Sequence, residues 1–249
     1  IMPSLVGSEM CIRDSSTIED GSDYFAPVLY TGTGSSRSIS VGFQPDWTWW
    51  KSRNVGGNPA LFDSVRGVGK YLVSNATNAE ATVGTSLTSF DSDGYTIGTN
   101  TAWNSTGNTF VSWNWKANGT GVSNTAGTIT STVSANPTAG FSVVSWSGNS
   151  TNGATIGHGL GTAPNIIFTK CRSHATSWIF GIGGISGFGV NDYFNFQTTG
   201  AKSSSSTFYQ AYSTNTFQVG VSSADEMNKT GRTYVSYCFA EVSGYSAIG

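Results

Sequence analysis

The chain holds 2 histidines, 3 cysteines and 14 carboxylates. These are the side chains able to move a proton, hold a metal or attack a carbon, and their spacing gives them little to do. His158 lies in Ile156-Gly-His-Gly-Leu160, and His174 stands alone; neither has a nucleophile or carboxylate at triad spacing. No serine occupies a G-x-S-x-G elbow. Asp91-Ser-Asp-Gly94 has two carboxylates at i and i+2 before a glycine, which resembles the opening of a calcium loop. The downstream glutamate of such a loop is missing, and Asp91 and Asp93 remain the only metal candidates. No other cofactor is called for. Glycoside hydrolysis needs two carboxyls about 5–9.5 Å apart. Asp63, Glu80, Asp91, Asp93, Asp192, Asp225, Glu226 and Glu241 are available, but none recurs at matched positions in the two halves described below. Gly67-Val-Gly-Lys70 and Gly181-Ile-Gly-Gly184 complete neither phosphate-binding motif and read as turns. No catalytic residue is assigned.

Recognition is the sharper reading. Trp50 stands on the opposite face of its strand from Trp47 and Trp49, and its counterpart in the second half is Thr169. A ring replaced by a small polar residue need not be core, so Trp50 is a candidate platform for stacking a sugar. Tyr95 and Trp103, near turns, are candidates for the same glycan-binding surface. The alternative for Trp50 is packing against the other half or the connector. A Lys-x-Arg pair recurs as Lys51/Arg53 and Lys170/Arg172, expected to reach solvent or pair with a carboxylate in an architectural role.

The elements that must position these residues come in two sets. Phe25-Ala-Pro-Val-Leu-Tyr-Thr-Gly32 matches Phe141-Ser-Val-Val-Ser-Trp-Ser-Gly148, a shift of 116. Pro45, Lys51 and Arg53 match Pro164, Lys170 and Arg172, a shift of 119. Asn104-Ser-Thr-Gly-Asn-Thr-Phe-Val-Ser-Trp-Asn-Trp115 matches Asn228-Lys-Thr-Gly-Arg-Thr-Tyr-Val-Ser-Tyr-Cys-Phe239, a shift of 124. In both, the residues alternate with period two, as in half-buried antiparallel strands. In the last strand of each half, Val111, Trp113 and Trp115, or Val235, Tyr237 and Phe239, form the face expected to anchor each core. Strands are predicted at 24–31, 38–43, 47–53, 59–64, 70–75, 86–98 (bent or a hairpin) and 108–116. In the second half they are predicted at 140–147, 154–158, 165–171, 177–182, 192–198, 207–221 and 232–242. The expected fold is all-β, with two tandem antiparallel β-sandwich domains related by internal duplication, at 24–118 and 140–249. A polar connector at 119–139 joins them, in which Thr128–Val133 alternates and can add an edge strand.

Composition narrows the function. Only 10% of the 249 residues are charged and 13% are aromatic, with 32 glycines. Solubility rests on Ser, Thr, Asn and Gly, a profile that suits extracellular or virion β-proteins. A net charge of −2 offers nothing to nucleic acid, and no apolar run approaches the length of a membrane helix. Cys171 and Cys238 belong to the second half only, their counterparts in the first being Ser52 and Asn114, so the fold needs no disulfide, although the two could pair if their strands are neighbours. The N-x-[ST] sequons at Asn75, Asn104, Asn118, Asn149 and Asn228 are expected by chance in such a composition. Residues 1–15 resemble the conceptual translation of a sequencing-library adapter and are set apart as artefact. The abrupt end at Gly249 suggests a piece of a longer protein.

Four stretches carry a family resemblance over residues 24–249. They are Leu61-Phe-Asp-Ser-Val-Arg-Gly-Val-Gly-Lys-Tyr71, Ser89-Phe-Asp-Ser-Asp-Gly-Tyr-Thr-Ile-Gly98, Val111-Ser-Trp-Asn-Trp-Lys116 and Tyr237-Cys-Phe-Ala-Glu-Val-Ser-Gly-Tyr245. The chain resembles a family of repeated domains from marine bacteriophages, including phages of cyanobacteria and other pelagic hosts. The resemblance implies concanavalin A-like or jelly-roll-like sandwiches in a virion-associated, non-enzymatic tail-fibre or receptor-binding component. Its implied partners are other virion proteins and host-surface glycans, with a homo-oligomer such as a trimer in view. Two alternatives stay open: a carbohydrate-binding lectin module of another secreted protein, and a polysaccharide depolymerase.

Overall fold

A computed structural model describes residues 18–249; the adapter-like stretch 1–15 lies outside the described residues. The described chain is all-β apart from two single helical turns, at Gly21–Asp23 and at α1 (Thr101–Asn104). The first half contributes β1 (Phe25–Thr31), β2 (Arg37–Ser40), β3 (Trp47–Ser52), β4 (Ala60–Asp63), β5 (Lys70–Val73) and β6 (Ala81–Thr82). It closes with β7 (Leu87–Asp91), β8 (Gly94–Ile97) and β9 (Thr109–Trp115). The segment 86–98 is therefore a hairpin, turned at Ser92-Asp93, with Asp91 opposite Gly94. Next come β10 (Val122–Asn124) and β11 (Ser131–Asn136). The second half has β12 (Phe141–Ser147), β13 (Ala154–Gly157), β14 (Ile166–Cys171), β15 (Ile179–Ile182), β16 (Asp192–Asn195) and β17 (Ser203–Ser204). It ends with the hairpin β18 (Tyr209–Tyr212) and β19 (Thr216–Val219), then β20 (Thr233–Phe239).

Each half has one large and one small antiparallel sheet. The first half runs β1-β9-β3-β4-β5-β6 against β2-β8-β7. In the second, β12-β20-β14-β15-β16-β17 lies against β13-β19-β18. Strand for strand, the two orders coincide. The segment 119–139 is more than a spacer: it adds β11 to the outer edge of β12 over six residue pairs and β10 outside β11, making an eight-stranded sheet. Asp46 holds the start of this segment, accepting from the backbone amides of Ala117 (2.7 Å) and Gly119 (3.1 Å).

The sheets stack as four layers with three interiors. One interior, between β2-β8-β7 and the six-stranded sheet, contains Tyr30, Trp50, Phe62, Tyr95, Trp103 and Phe110. Another, in the second half, contains Trp146, Ile156, Ile167, Tyr209, Phe217 and Tyr234. The third lies between the two large sheets and joins the halves through Trp47, Leu61, Leu72, Phe141, Val143, Trp178, Val235 and Tyr237. This corrects the expected faces of β3 and β9. The Trp47/Trp115 face packs on the other half, while Trp50, Phe110, Ser112 and Asn114 turn into their own sandwich. Both faces of a central strand are covered, so polar Thr48 and Asn114 are buried and bond to each other at 2.7 Å. Alternation alone cannot say which of two covered faces looks inward.

A buried ionic clasp sits in the middle interior. Asp63 accepts from the Arg66 backbone amide at 2.7 Å, and its other oxygen takes the Arg66 Nε–H and the Tyr237 hydroxyl, the latter at 2.7 Å. Arg66 also donates to the Leu61 carbonyl at 2.9 Å and to Glu80 at 3.2 Å. Glu80 in turn receives Arg172 of the second half in a fork at 2.9 and 3.0 Å. Burial works against a charged Arg66, but Asp63, Tyr237 and Glu80 outweigh it and hold the guanidinium protonated. For Glu80, burial raises the pKa, yet the Arg172 hydrogen bonds and the two guanidinium charges win and leave it lowered. The Trp178 indole closes the seam by donating to the Val73 carbonyl at 2.8 Å. Removing one member of a buried ionic group strands the others without solvent. Arg66→Met is therefore expected to lower stability by about 3–5 kcal/mol in urea unfolding; a loss under about 1 kcal/mol would show that the clasp contributes no more than a surface pair.

Candidate functional site

Two aromatic recesses flank the middle interior, and both follow from the register of the eight-stranded sheet. The β20 side chains Tyr237 and Phe239 point at the first half, with Phe168 of β14 opposite Tyr237 and Ile166 opposite Phe239. Trp47 lies over this row, 4.4 Å from Tyr237 and 4.3 Å from Trp115 between ring centroids. Where the row reaches the start of β1 and β12, the layers leave a cleft of about 370 Å³. Tyr24, Phe25, Trp115, Phe141, Phe168 and Phe239 form much of its wall, with Tyr245 on one side. Tyr245 meets Tyr24 edge-on at 6.2 Å, held by a turn in which Tyr245 donates its amide to the Val242 carbonyl at 3.0 Å. Among the described residues, no charged side chain lines this cleft.

The second recess lies toward the β16 edge. Phe168, Phe180 and Phe194 stand opposite one another on β14, β15 and β16, so they share the same face. Phe180 and Phe196 stack at 6.3 Å with 22° between planes, and Trp49 of the first half closes on Phe196 at 5.9 Å. With Asn195, Thr198 and Gly200 they enclose about 270 Å³. The three rings and Asn195 are half-buried, whereas Thr198 and Gly200 are exposed. Ring faces beside an exposed, polar rim at Thr198 and Gly200 make a surface that can take a molecule with one apolar and one polar side. The sequence held a signal for it: Phe194 and Phe196 alternate within a predicted strand that runs into Thr-Thr-Gly.

The expected platform behaves differently. Trp50 and Tyr95 are fully buried and Trp103 nearly so. The structure does bring them together, with Trp50 5.0 Å from Tyr95 and 6.4 Å from Trp103, but as packing inside the first sandwich. Trp50 donates to Thr48 Oγ1 at 2.6 Å, and Tyr95 bonds Ser112 Oγ at 3.0 Å. Its replacement by Thr169 has a physical reason. In the second half Tyr209 reaches in from the facing sheet, its hydroxyl 2.7 Å from Thr169 Oγ1, so a ring from the other sheet packs against the small Thr169 in that interior. Trp50→Ala should therefore act on stability, with a loss of about 3–5 kcal/mol by denaturant titration and no effect specific to a ligand.

Asp91 and Asp93 do not form a cation cage. Asp91 accepts from Ser89 and Thr96 hydroxyls, both at 2.7 Å, and Asp93 from Ser40 at 2.5 Å. Among the described residues no group of three His, Cys, Asp or Glu is placed to hold a metal ion. Cys171 and Cys238 are free and buried. Their strands are neighbours, but Cys171 faces Tyr234 while Cys238 faces Ile167, so four rungs separate them. That spacing of roughly 13 Å is too long for a bridge. Lys170 neither reaches solvent nor meets a carboxylate: it is fully buried and donates to the Cys171 and His174 carbonyls at 2.8 and 3.2 Å and to Thr176. Burial lowers its pKa to about 8. Arg172 meets Glu80, as above, and Lys51 donates to the Gly57 carbonyl at 2.9 Å. Two sequon asparagines are buried structural amides. Asn104 donates to the Gly98 and Ser35 carbonyls, and Asn228 to that of Thr151, each tying down loops of its own half.

With the geometry in view, comparison with known families is decisive on one point. A model described as a domain of unknown function, DUF7483, matches residues 20–249. The chain belongs to this family. No curated protein and no solved structure matches it. The family match spans both sandwiches and the β10–β11 segment, so both halves and the seam between them fall inside one family unit.

His158 is fully buried, with Nε2 3.1 Å from the Ser213 carbonyl and Nδ1 accepting the Leu160 amide at 3.2 Å. Both contacts fit a neutral ring that donates from Nε2. Burial lowers its pKa below the ordinary 6.5, against a smaller opposing effect of the Ser213 bond. The unfolded chain then binds the proton more readily, so this contribution is complete above pH 6.5 and is lost as pH falls through the lower folded value. Stability measured from pH 7.5 to 5 should decline, and His158→Gln should flatten the decline; identical slopes would assign the pH dependence elsewhere.

Proposed function

We propose that this chain is a non-enzymatic structural and adhesion module of a virion, a rigid double sandwich that displays the Phe180–Phe194–Phe196 recess to host-surface glycans. The observation that carries the proposal is the recess itself. Its rings are partly open to solvent and stand beside the exposed Thr198 and Gly200, a pairing that suits a sugar, with one apolar face for the rings and hydroxyls toward the polar rim. The motif resemblance to marine phage repeats supports the virion setting. The role of the carboxylates supports a binding module. Asp63 and Glu80 serve the clasp, Asp192 pairs with Lys202 at 2.7 Å and Asp225 with Arg232 at 3.0 Å.

A glycan-array screen followed by titration of any hit tests the proposal. Phe194→Ala is expected to weaken binding by about tenfold or more, since an aromatic stacking contact contributes about 1 kcal/mol beyond its buried area, while Val55→Ala, on an exposed loop of the first half, is expected to leave it unchanged. Absence of binding by the wild-type chain, or equal binding by Phe194→Ala, would overturn the glycan assignment. Release of new reducing ends from host polysaccharide would overturn the non-enzymatic one.

A further inference from the structure

The two halves treat the same sheet edge in opposite ways. β12 and β1 hold the same place, each outermost of the six strands common to both large sheets. On β12 the outer edge is occupied by β11, with Ser134 opposite Val143 and Thr132 opposite Ser145. On β1 the outer edge has no strand against it among the described residues.

The direction of the backbone groups on β1 follows from its inner ladder. Lys116 donates to the Tyr24 carbonyl at 2.9 Å and Gly32 to that of Asn108 at 2.8 Å. Hydrogen-bonded pairs alternate in an antiparallel ladder, so the even residues Ala26, Val28 and Tyr30 bond inward to β9. Phe25, Pro27, Leu29 and Thr31 turn their backbone groups outward. Pro27 therefore removes the amide at the centre of the free edge, at the position where Val143 of β12 keeps one. Beside it, Leu29 is 64% exposed, one of few large hydrophobic side chains this open among the described residues.

We propose that the β1 edge is a latent self-pairing surface and that Pro27 is the residue that keeps it closed. The partner it fits is a second copy of this chain, related by a two-fold axis at Val28. Such an arrangement sets Pro27 against Leu29 of the other copy, twice over, and joins the two six-stranded sheets. Each Leu29 amide then meets a Pro27 carbonyl, but each Leu29 carbonyl faces a proline ring without a donor. The central rungs lose half their bonds, and the Thr31 carbonyl at the strand end is already taken by Arg37. A proline in an edge strand blocks addition in this way. β12, which has no such residue, carries a strand on the corresponding edge of the other half.

Sedimentation equilibrium of the full chain tests the proposal. Pro27→Val and Pro27→Ala both restore the two central bonds of a dimer, and each is expected to double the mass of the wild-type species, with association tightened by about tenfold or more. Adding Leu29→Pro to Pro27→Val removes the neighbouring outward donor and should return the mass to the wild-type value. The proposal is overturned if both single variants keep the wild-type mass, or if the double variant still doubles it. Agreement of the valine and alanine variants separates the restored amide from any effect of the new side chain on folding.

Discussion

The architecture depends on one guanidinium kept out of water. Arg66 reaches the middle interior with no solvent of its own, and its charge is met by Asp63, by Glu80 and by the Tyr237 hydroxyl of the other half. Removing a charge from water costs several kcal/mol, and attraction at short range repays it only when the geometry is complete. The geometry is complete here only if the second half is docked, because Tyr237 and Arg172 both come from it. The clasp therefore selects one alignment of the two large sheets, and the aromatic rings around Trp47 supply the apolar burial that makes this alignment stable. Apolar rings alone would tolerate sliding; a buried ion with directional partners does not.

Much of this was legible in the sequence, and the exceptions share a cause. Period-two alternation gave the strands; at 86–98 it left a bent strand and a hairpin both open, and the structure has the hairpin. Alternation could not reveal that both faces of β3 and β9 are covered. Trp50 thus read as an outer face when it is the inner one, and Trp47 as core of one sandwich when it joins two. The compensation of Thr169 by Tyr209 was hidden because it comes from a strand some 40 residues away in the facing sheet. Lys170 defeated the expectation that a lysine seeks water: three oxygens at the strand end take its ammonium. The stretch Leu61–Tyr71 stood out as a motif, and its chemistry is now clear. Asp63 fixes the Arg66 amide and side chain, folding the β4 exit into the turn that aims the guanidinium across the seam.

The recesses inherit their stiffness from the same stacking. Phe168, Phe180 and Phe194 are held by hydrogen-bonded ladders on both sides of β14 and β15, and Phe196 is braced by Trp49 of the other half. A ligand there would meet rings already in place, which limits the ordering cost of binding. The cleft beside Tyr24 differs. Tyr245 belongs to a turn beyond β20, so that wall rests on a local bond to Val242 and on an edge contact with Tyr24. One surface is set by sheet geometry and the other by a loop.

The arrangement of β1 and β9 has a mechanical consequence. Phe25 at the start of β1 is paired with Trp115 at the end of β9, so the chain enters and leaves the first sandwich at the same end of the ladder. Tension between those two points would open the rungs one after another, like a zipper, and would not load them all together in shear. Against a pull, this half would rely on Asp46 and the neighbouring Ser64, whose bonds fasten the chain where it leaves β9, more than on the length of its strands.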